Sequence, residues 1–126
     1  MIVKMFQPQF VPLVRDGRKK QTIRPRPNKP KYLPKVGQTI SCRHWKGKPY
    51  RSIQLEIIKS VIVFVEFVEV TVLGVGMKES SYHLIGAPTH DEIAKADGFE
   101  HFAAMRFWFL KQHGFLPFKG ILIRWK

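Results

Sequence analysis

DGRKKQTIRPRP, residues 16–27, sets Arg18, Lys19, Lys20, Arg24 and Arg26 around a single threonine, Thr22, with Asp16 the only acid in the stretch. Read for structure, it is the hinge between two elements. Residues 9–16, QFVPLVRD, carry Pro12 near their start and Gly17 just past their end, the arrangement of a short helical turn closed by a left-handed glycine. Beyond Gly17, QTIR at 21–24 has strand character, and period-two alternation sets Thr22 and Arg24 on one face with Gln21 and Ile23 on the other. A threonine in a strand is ordinarily a β-former and no more. This one shares its face with a guanidinium.

The charge is local. The 126 residues include 22 Lys or Arg against 9 Asp or Glu, a formal net charge of +13, and between Arg15 and Arg51 thirteen cations meet Asp16 alone. A one-sided positive region draws phosphates by Coulomb attraction, and nucleic acid is its commonest partner; a merely solvated basic surface is the bland alternative. The length suits one hydrophobic core, so residues 1–126 read as a single domain, and 44% hydrophobic with 13% aromatic residues excludes a mostly disordered chain. Cys42 is the only cysteine, which excludes an intramolecular disulfide and a cysteine-pair metal site and fits a reducing compartment. MIVKMFQPQF at the start lacks a signal peptide's apolar run, and VIVFVEFVEVTVL at 61–73 is too short and too acidic to span a bilayer. The expectation is a cytoplasmic, monomeric protein with no membrane partner.

Along the chain, residues 25–37 form a Pro-rich basic loop, extended and exposed. GQTISCRHW, 37–45, alternates so that Ile40, Cys42 and His44 share one face and Thr39, Ser41, Arg43 and Trp45 the other, a half-buried strand followed by the turn KGKP. Arg51 to Leu73 contains no Gly or Pro and is rich in β-branched residues, which predicts strands divided by a turn. Pro88 and the box Thr89-x-x-Glu92 start a helix that Asp97-Gly98 ends. Asp97 opens a second box with Glu100, after which Phe102, Met105, Phe109 and His113 fall on one helical face until Gly114. GILIRW, 120–125, closes the chain as a strand with Ile121, Ile123 and Trp125 on one side. Strands dominate, with two linked helices late in the chain: an α+β fold and a closed or nearly closed barrel.

Other residues invite a functional reading. Around WKGKPYR, Trp45, Tyr50 and Arg51 lie beside Lys46 and Lys48, a mixture that stacks an unpaired base while gripping its backbone; equally, Trp45 and Tyr50 make a cross-strand hairpin pair. His44, His83, His90, His101 and His113 have no metal-site spacing, so neither metal nor cofactor is expected, and His113 on an apolar face reads as packed. Glu66 and Glu69 interrupt an apolar run, facing either a cleft or an exposed edge. Cys42 has no activating neighbour in sequence and reads as a small apolar residue.

The order of short helix, GRKKQTIR, Pro-rich loop, VGQTISCRHW, strand-rich middle, AKADGFEHFAAMRFWF and final strand resembles the ASCH domain, a branch of the PUA-like β-barrel superfamily, over nearly the whole chain. The most specific match is the G-x-K-x-x-T-I-R block of Gly17, Lys19, Thr22, Ile23 and Arg24; the ADGF segment is the second. The resemblance implies a PUA-like barrel of about six strands with two or three flanking helices and a cleft that accepts RNA or a nucleoside. It also implies two activities: hydrolysis of the N4-acetyl group of N4-acetylcytidine by a Lys, a Thr and an acid, or cleavage of single-stranded RNA. Carried over, Lys19, Thr22 and Asp97 are the catalytic candidates, with Asp97 where the family usually has the longer Glu, and Arg18, Lys20, Arg24, Arg26 and Arg43 join the hairpin residues as binding candidates. A threonine hydroxyl needs a base to take its proton, and a lysine serves once its pKa falls. The like charges of Arg18, Lys20 and Arg24, and burial, push Lys19 that way. Arg24 on the Thr22 face then faces a developing oxyanion. A non-catalytic RNA-binding module, in which Thr22 is idle and Asp97 only caps a helix, is the third possibility.

Overall fold

Between Arg51 and Leu73 no turn divides the chain. The computed structural model, which describes residues 1–77 and 89–126, has there one 17-residue strand, β4 (Gln54–Val70). The expectation of two strands fails for a physical reason: β4 bends instead of turning. Its pairing register slips at Ile57 against one neighbour and at Val63 against another, and such extra residues kink a strand and tighten its twist. One half of β4 therefore serves one partner and the other half a second.

The remaining elements are β1 (Ile2–Met5), α1 (Val11–Asp16), β2 (Gln21–Pro25), β3 (Thr39–Trp45), β5 (Val75–Met77), α2 (His90–Ala96), α3 (Phe102–His113) and β6 (Phe118–Trp125). Among the described residues the fold is α+β: a six-stranded sheet in the order β1-β3-β4-β6-β2, with β5 on β4, and three helices. β1 and β3 are parallel and the other pairs antiparallel, so the sheet is mixed. Of the closed or nearly closed barrel expected, closure is not formed among the described residues: the ladder stops at β1 and β2. β1 has only four residues and β2 ends at Pro25, which has no N–H to donate, so neither edge extends a ladder. A side chain crosses the opening instead: Arg24 Nη2 on β2 donates to the Met5 carbonyl on β1 at 2.6 Å.

The helix ends show why the chain turns where it does. Gly17, at φ 86°, closes α1 in the left-handed region, and the Thr89 hydroxyl caps α2 by accepting from Glu92 N at 3.1 Å. The second expected box is a correction. α3 is capped by His101, whose Nδ1 accepts from Ala104 N at 3.1 Å, while Asp91 accepts from Phe102 N at 2.8 Å. Asp97 is the C-terminal cap residue of α2 and is buried, so its carboxylate is not free to cap α3. Pro88 and His83 lie outside the described residues.

β6 is buried on both faces. Leu122 packs with Ile93, Met105 and Phe109 under the two later helices, while Ile123 and Trp125 pack with Phe6, Phe10, Val14, Ile40, Cys42 and Ile62. Each such side chain contributes roughly 1.5–3 kcal/mol on burial. His113 is a packed residue, as expected, stacked on Phe118 with ring centres 4.2 Å apart. Cys42 is fully buried and its thiol is pushed up to about 12 by burial, so it stays a small apolar side chain. The 25–37 loop holds one short 3-10 turn, Pro30–Tyr32. Among the described residues no helix is long and apolar enough to cross a membrane.

Candidate functional site

The opening between β1 and β2 is a pocket of about 200 Å³, lined by Met5 and Phe6 from one edge, Thr22, Arg24 and Pro25 from the other, and Lys19, Asp97, Phe99 and Trp108 between. The 16–27 stretch supplies four of these side chains because of its local geometry. After the left-handed Gly17 the chain doubles back, with Lys19 N donating to the Leu13 carbonyl at 2.9 Å. Arg18 and Lys20 then point to solvent and Lys19 points inward, 2% exposed. In β2 the alternation read from the sequence holds. Thr22 and Arg24 line the pocket, whereas Gln21 bonds the Ile93 carbonyl of α2 at 3.2 Å and Ile23, though it borders the pocket, packs in the core beneath the helices.

Lys19 and Asp97 form a buried pair. The Lys19 ammonium lies 3.5 Å from Asp97 Oδ1 and donates to the Asp97 backbone carbonyl. It also sits over the Phe10 ring at 4.9 Å and the Phe6 ring at 5.7 Å. Burial pulls its pKa below the usual lysine value; Asp97 opposes that and Arg24 adds to it. Burial pushes the Asp97 carboxyl up to about 6, against the downward pull of Lys19 and Arg24. Gly98 packs closely against the pair: its φ is +98°, and a Cβ there would meet Lys19 Cδ at 3.0 Å and Phe10 Cδ1 at 3.1 Å.

Arg24 fixes the other wall. Its Nε donates to Thr22 Oγ1 at 2.9 Å, its Nη2 holds Met5, and its guanidinium lies 4.8 Å from the Phe6 ring centre. The threonine hydroxyl thus receives a charge-assisted hydrogen bond, which favours a negative oxygen at that atom. Two buried polar atoms of the pocket residues, Asp97 Oδ1 and Trp108 Nε1, have no hydrogen-bond partner among the described residues.

The other sequence candidates lie elsewhere. Arg18 pairs with Asp16 at 2.6 Å on the surface and Lys20 is exposed. Arg26 bonds the carbonyls of Gly120 and Val68 at 2.9 and 3.0 Å, tying the loop to the sheet, and Arg43 bonds Ser41 and Gln54. Trp45, Lys46, Lys48, Tyr50 and Arg51 belong to the end of the β3–β4 hairpin, where the Trp45 and Tyr50 rings stand 5.2 Å apart and Tyr50 is 89% exposed. Glu66 borders a small groove with Leu33 and Pro34, and Glu69 lies opposite Lys119 in the sheet. Among the described residues no cluster of His, Cys, Asp and Glu is placed to hold a metal.

Sequence reasoning missed the aromatic wall of Phe6, Phe10, Phe99 and Trp108. The available signal was the run Phe107-Trp108-Phe109, three consecutive aromatics that one helix face cannot accommodate. Compared with known protein families, curated proteins and solved structures, the chain matches none.

Proposed function

We propose that this chain is an ASCH-type amidohydrolase of the PUA-like superfamily, its barrel left open between β1 and β2, and that it removes the N4-acetyl group of N4-acetylcytidine or a like nucleoside. The observation that carries this reading is the convergence of Lys19, Thr22, Arg24 and Asp97 on one pocket. The pocket, about 200 Å³, is smaller than the ~300–1,000 Å³ typical of drug-sized sites, which suits one base with a small acyl group.

In this mechanism Thr22 Oγ attacks the acyl carbon while Lys19, neutral at that moment, takes the hydroxyl proton. The carbonyl electrons move onto oxygen, where the Arg24 guanidinium offsets the charge. Collapse breaks the bond to N4, which takes the proton from Lys19 and leaves as the cytosine amine, with the acyl group now an ester on Thr22. Water, deprotonated by Lys19, attacks the ester; acetate leaves and Thr22 regains its proton. Asp97 orients the lysine. Its side chain is one methylene shorter than the family's usual glutamate, yet from the end of α2 it stands 3.5 Å from the amine, so its reach suffices. No cofactor enters these steps.

A polymeric substrate is the second reading, favoured by the exposed Tyr50 ring against Trp45, with exposed Lys46, Lys48 and Arg51 around it. These would grip neighbouring nucleotides of a single-stranded RNA, making the chain a ribonuclease or an RNA-binding module. The test is incubation with N4-acetylcytidine and, separately, with single-stranded RNA, following cytidine and acetate in one and fragments in the other. Cytidine release that disappears in Lys19→Ala and Thr22→Ala supports the amidohydrolase. Unchanged release in either variant rejects it, and RNA fragments without cytidine release favour the second reading.

A further inference from the structure

Trp108 is held by a cage of rings. Its indole lies 5.9 Å from Phe10, 5.6 Å from Phe99, 5.1 Å from Phe109 and 6.4 Å from His113, centre to centre. Those contacts fix the direction of its one polar bond. Nε1–H is enclosed, lacks an acceptor among the described residues and belongs to a residue lining the pocket. Native proteins carry few such groups, since a buried donor left unpaired forfeits its hydration. The other buried pocket atom without a hydrogen-bond partner among the described residues is of the opposite kind: Asp97 Oδ1, an acceptor, which faces the Lys19 ammonium at 3.5 Å. A donor and an acceptor enclosed on two residues that line one pocket are complementary to a planar secondary amide, whose carbonyl accepts and whose N–H donates.

We infer that Trp108 is a specificity-determining residue, its indole N–H donating to the acyl carbonyl oxygen of the ligand while Asp97 receives the amide N–H. The inference rests on the amidohydrolase reading for its substrate, and it extends that reading: the oxyanion then has two donors, Arg24 and Trp108, and discrimination between acylated and free amine falls to the indole. Phe99 and His113, which pack on Trp108 and also line the pocket, are only part-buried, leaving room for their rings to yield as a ligand enters. Trp125 supplies an internal control. Its Nε1 is also unpartnered among the described residues, but the ring is in the core against Phe6 and does not line the pocket.

Trp108→Phe keeps an aromatic ring in the cage and deletes the donor. Native protein, Trp108→Phe and Trp125→Phe are titrated with N4-acetylcytidine, cytidine and acetanilide by calorimetry, alongside thermal melts. Trp108→Phe is expected to bind both amides ~10-fold more weakly, to treat cytidine as native does, and to melt close to native, because among the described residues the indole has no hydrogen bond to lose. Trp125→Phe is expected to bind all three as native does. Equal amide binding by native and Trp108→Phe overturns the inference, as does a loss of the same size for cytidine, which would mark a packing role. Absence of amide binding by the native protein overturns it too. Amide-selective loss in Trp108→Phe without turnover by the native protein upholds the recognition role and rejects the hydrolase; turnover with unchanged Trp108→Phe binding does the reverse.

Discussion

Lys19 and Asp97, 78 positions apart in the chain, meet in the interior: the amine donates to the backbone carbonyl of Asp97 and stands 3.5 Å from its carboxylate, with both side chains at or below 5% exposure. Neither residue is at home there alone. Removing one partner of a buried pair leaves an uncompensated charge, which typically costs ~3–5 kcal/mol, whereas replacing both by neutral groups is often close to neutral. Lys19→Met and Asp97→Asn are therefore each expected to destabilise the fold by roughly that amount, and the double variant to recover most of it. Urea denaturation of the four proteins measures the coupling. Strictly additive losses would show that the two groups do not interact.

The same pair predicts two pH dependences. Burial raises the folded Asp97 pKa from an ordinary 3.8 to about 6, so its contribution to stability is present in acid and is lost as pH climbs through that window. Lys19 is shifted the other way, below its ordinary 10.5, so stability returns as pH climbs toward that value. Compared with the Lys19→Met/Asp97→Asn double variant, native protein should lose stability between about pH 4 and 6 and regain it in the alkaline range. The proposed hydrolysis needs an ionised Asp97 and a neutral Lys19, so its rate should rise through pH 6 and continue upward, with apparent values belonging to the coupled pair. A pH–rate profile checks this, and a flat rate across pH 6 would exclude Asp97 from the reacting state.

Arg24 carries three tasks at once: it bonds Thr22 Oγ1, crosses to Met5 and lies against Phe6. A lysine keeps the charge but has no planar fork, so it cannot hold both oxygens in this geometry. Arg24→Lys is expected to lower kcat by ~10²–10³, the usual loss for one oxyanion donor, with a smaller change in KM. The measurement is steady-state hydrolysis of N4-acetylcytidine. Native kcat in this variant would leave Arg24 a purely structural bridge between β1 and β2.

Much of this arrangement is legible in the sequence. Period-two alternation in QTIR put Thr22 and Arg24 together, and glycine chemistry placed the ends of α1, α2 and α3, because both depend on neighbouring residues alone. What failed depends on distant ones. β4 has no turn because its two halves find different partners, and nothing within 51–73 records that. Asp97 satisfies every local requirement for capping α3, but its partner is Lys19, on the other side of the sheet in sequence. Arg18 and Lys20 share the motif with Lys19 and differ from it only in direction, a consequence of the reversal at Gly17. The positive window therefore looked like one surface and is several: Lys19 and Arg24 turn into the pocket, and Arg26 and Arg43 are spent on the sheet.

Gly98 offers the most local test of how Lys19 is held. At φ +98° an L-residue is strained by about 1–2 kcal/mol, and an added Cβ would also press on Lys19 Cδ at 3.0 Å and Phe10 Cδ1 at 3.1 Å. Strain and displacement separate by choice of substituent. Gly98→Ala should destabilise the protein by roughly 1–3 kcal/mol and lower turnover. Gly98→Asn tolerates the left-handed conformation better, so it should recover part of the stability while turnover stays low, because its Cβ displaces the lysine stem in the same way. Thermal melts and hydrolysis rates on both variants decide the matter. If turnover recovers in step with stability, residue 98 acts only through the backbone; if Gly98→Ala turns over as native protein does, the lysine stem is not held against this position and the fixed geometry argued for the amine is wrong.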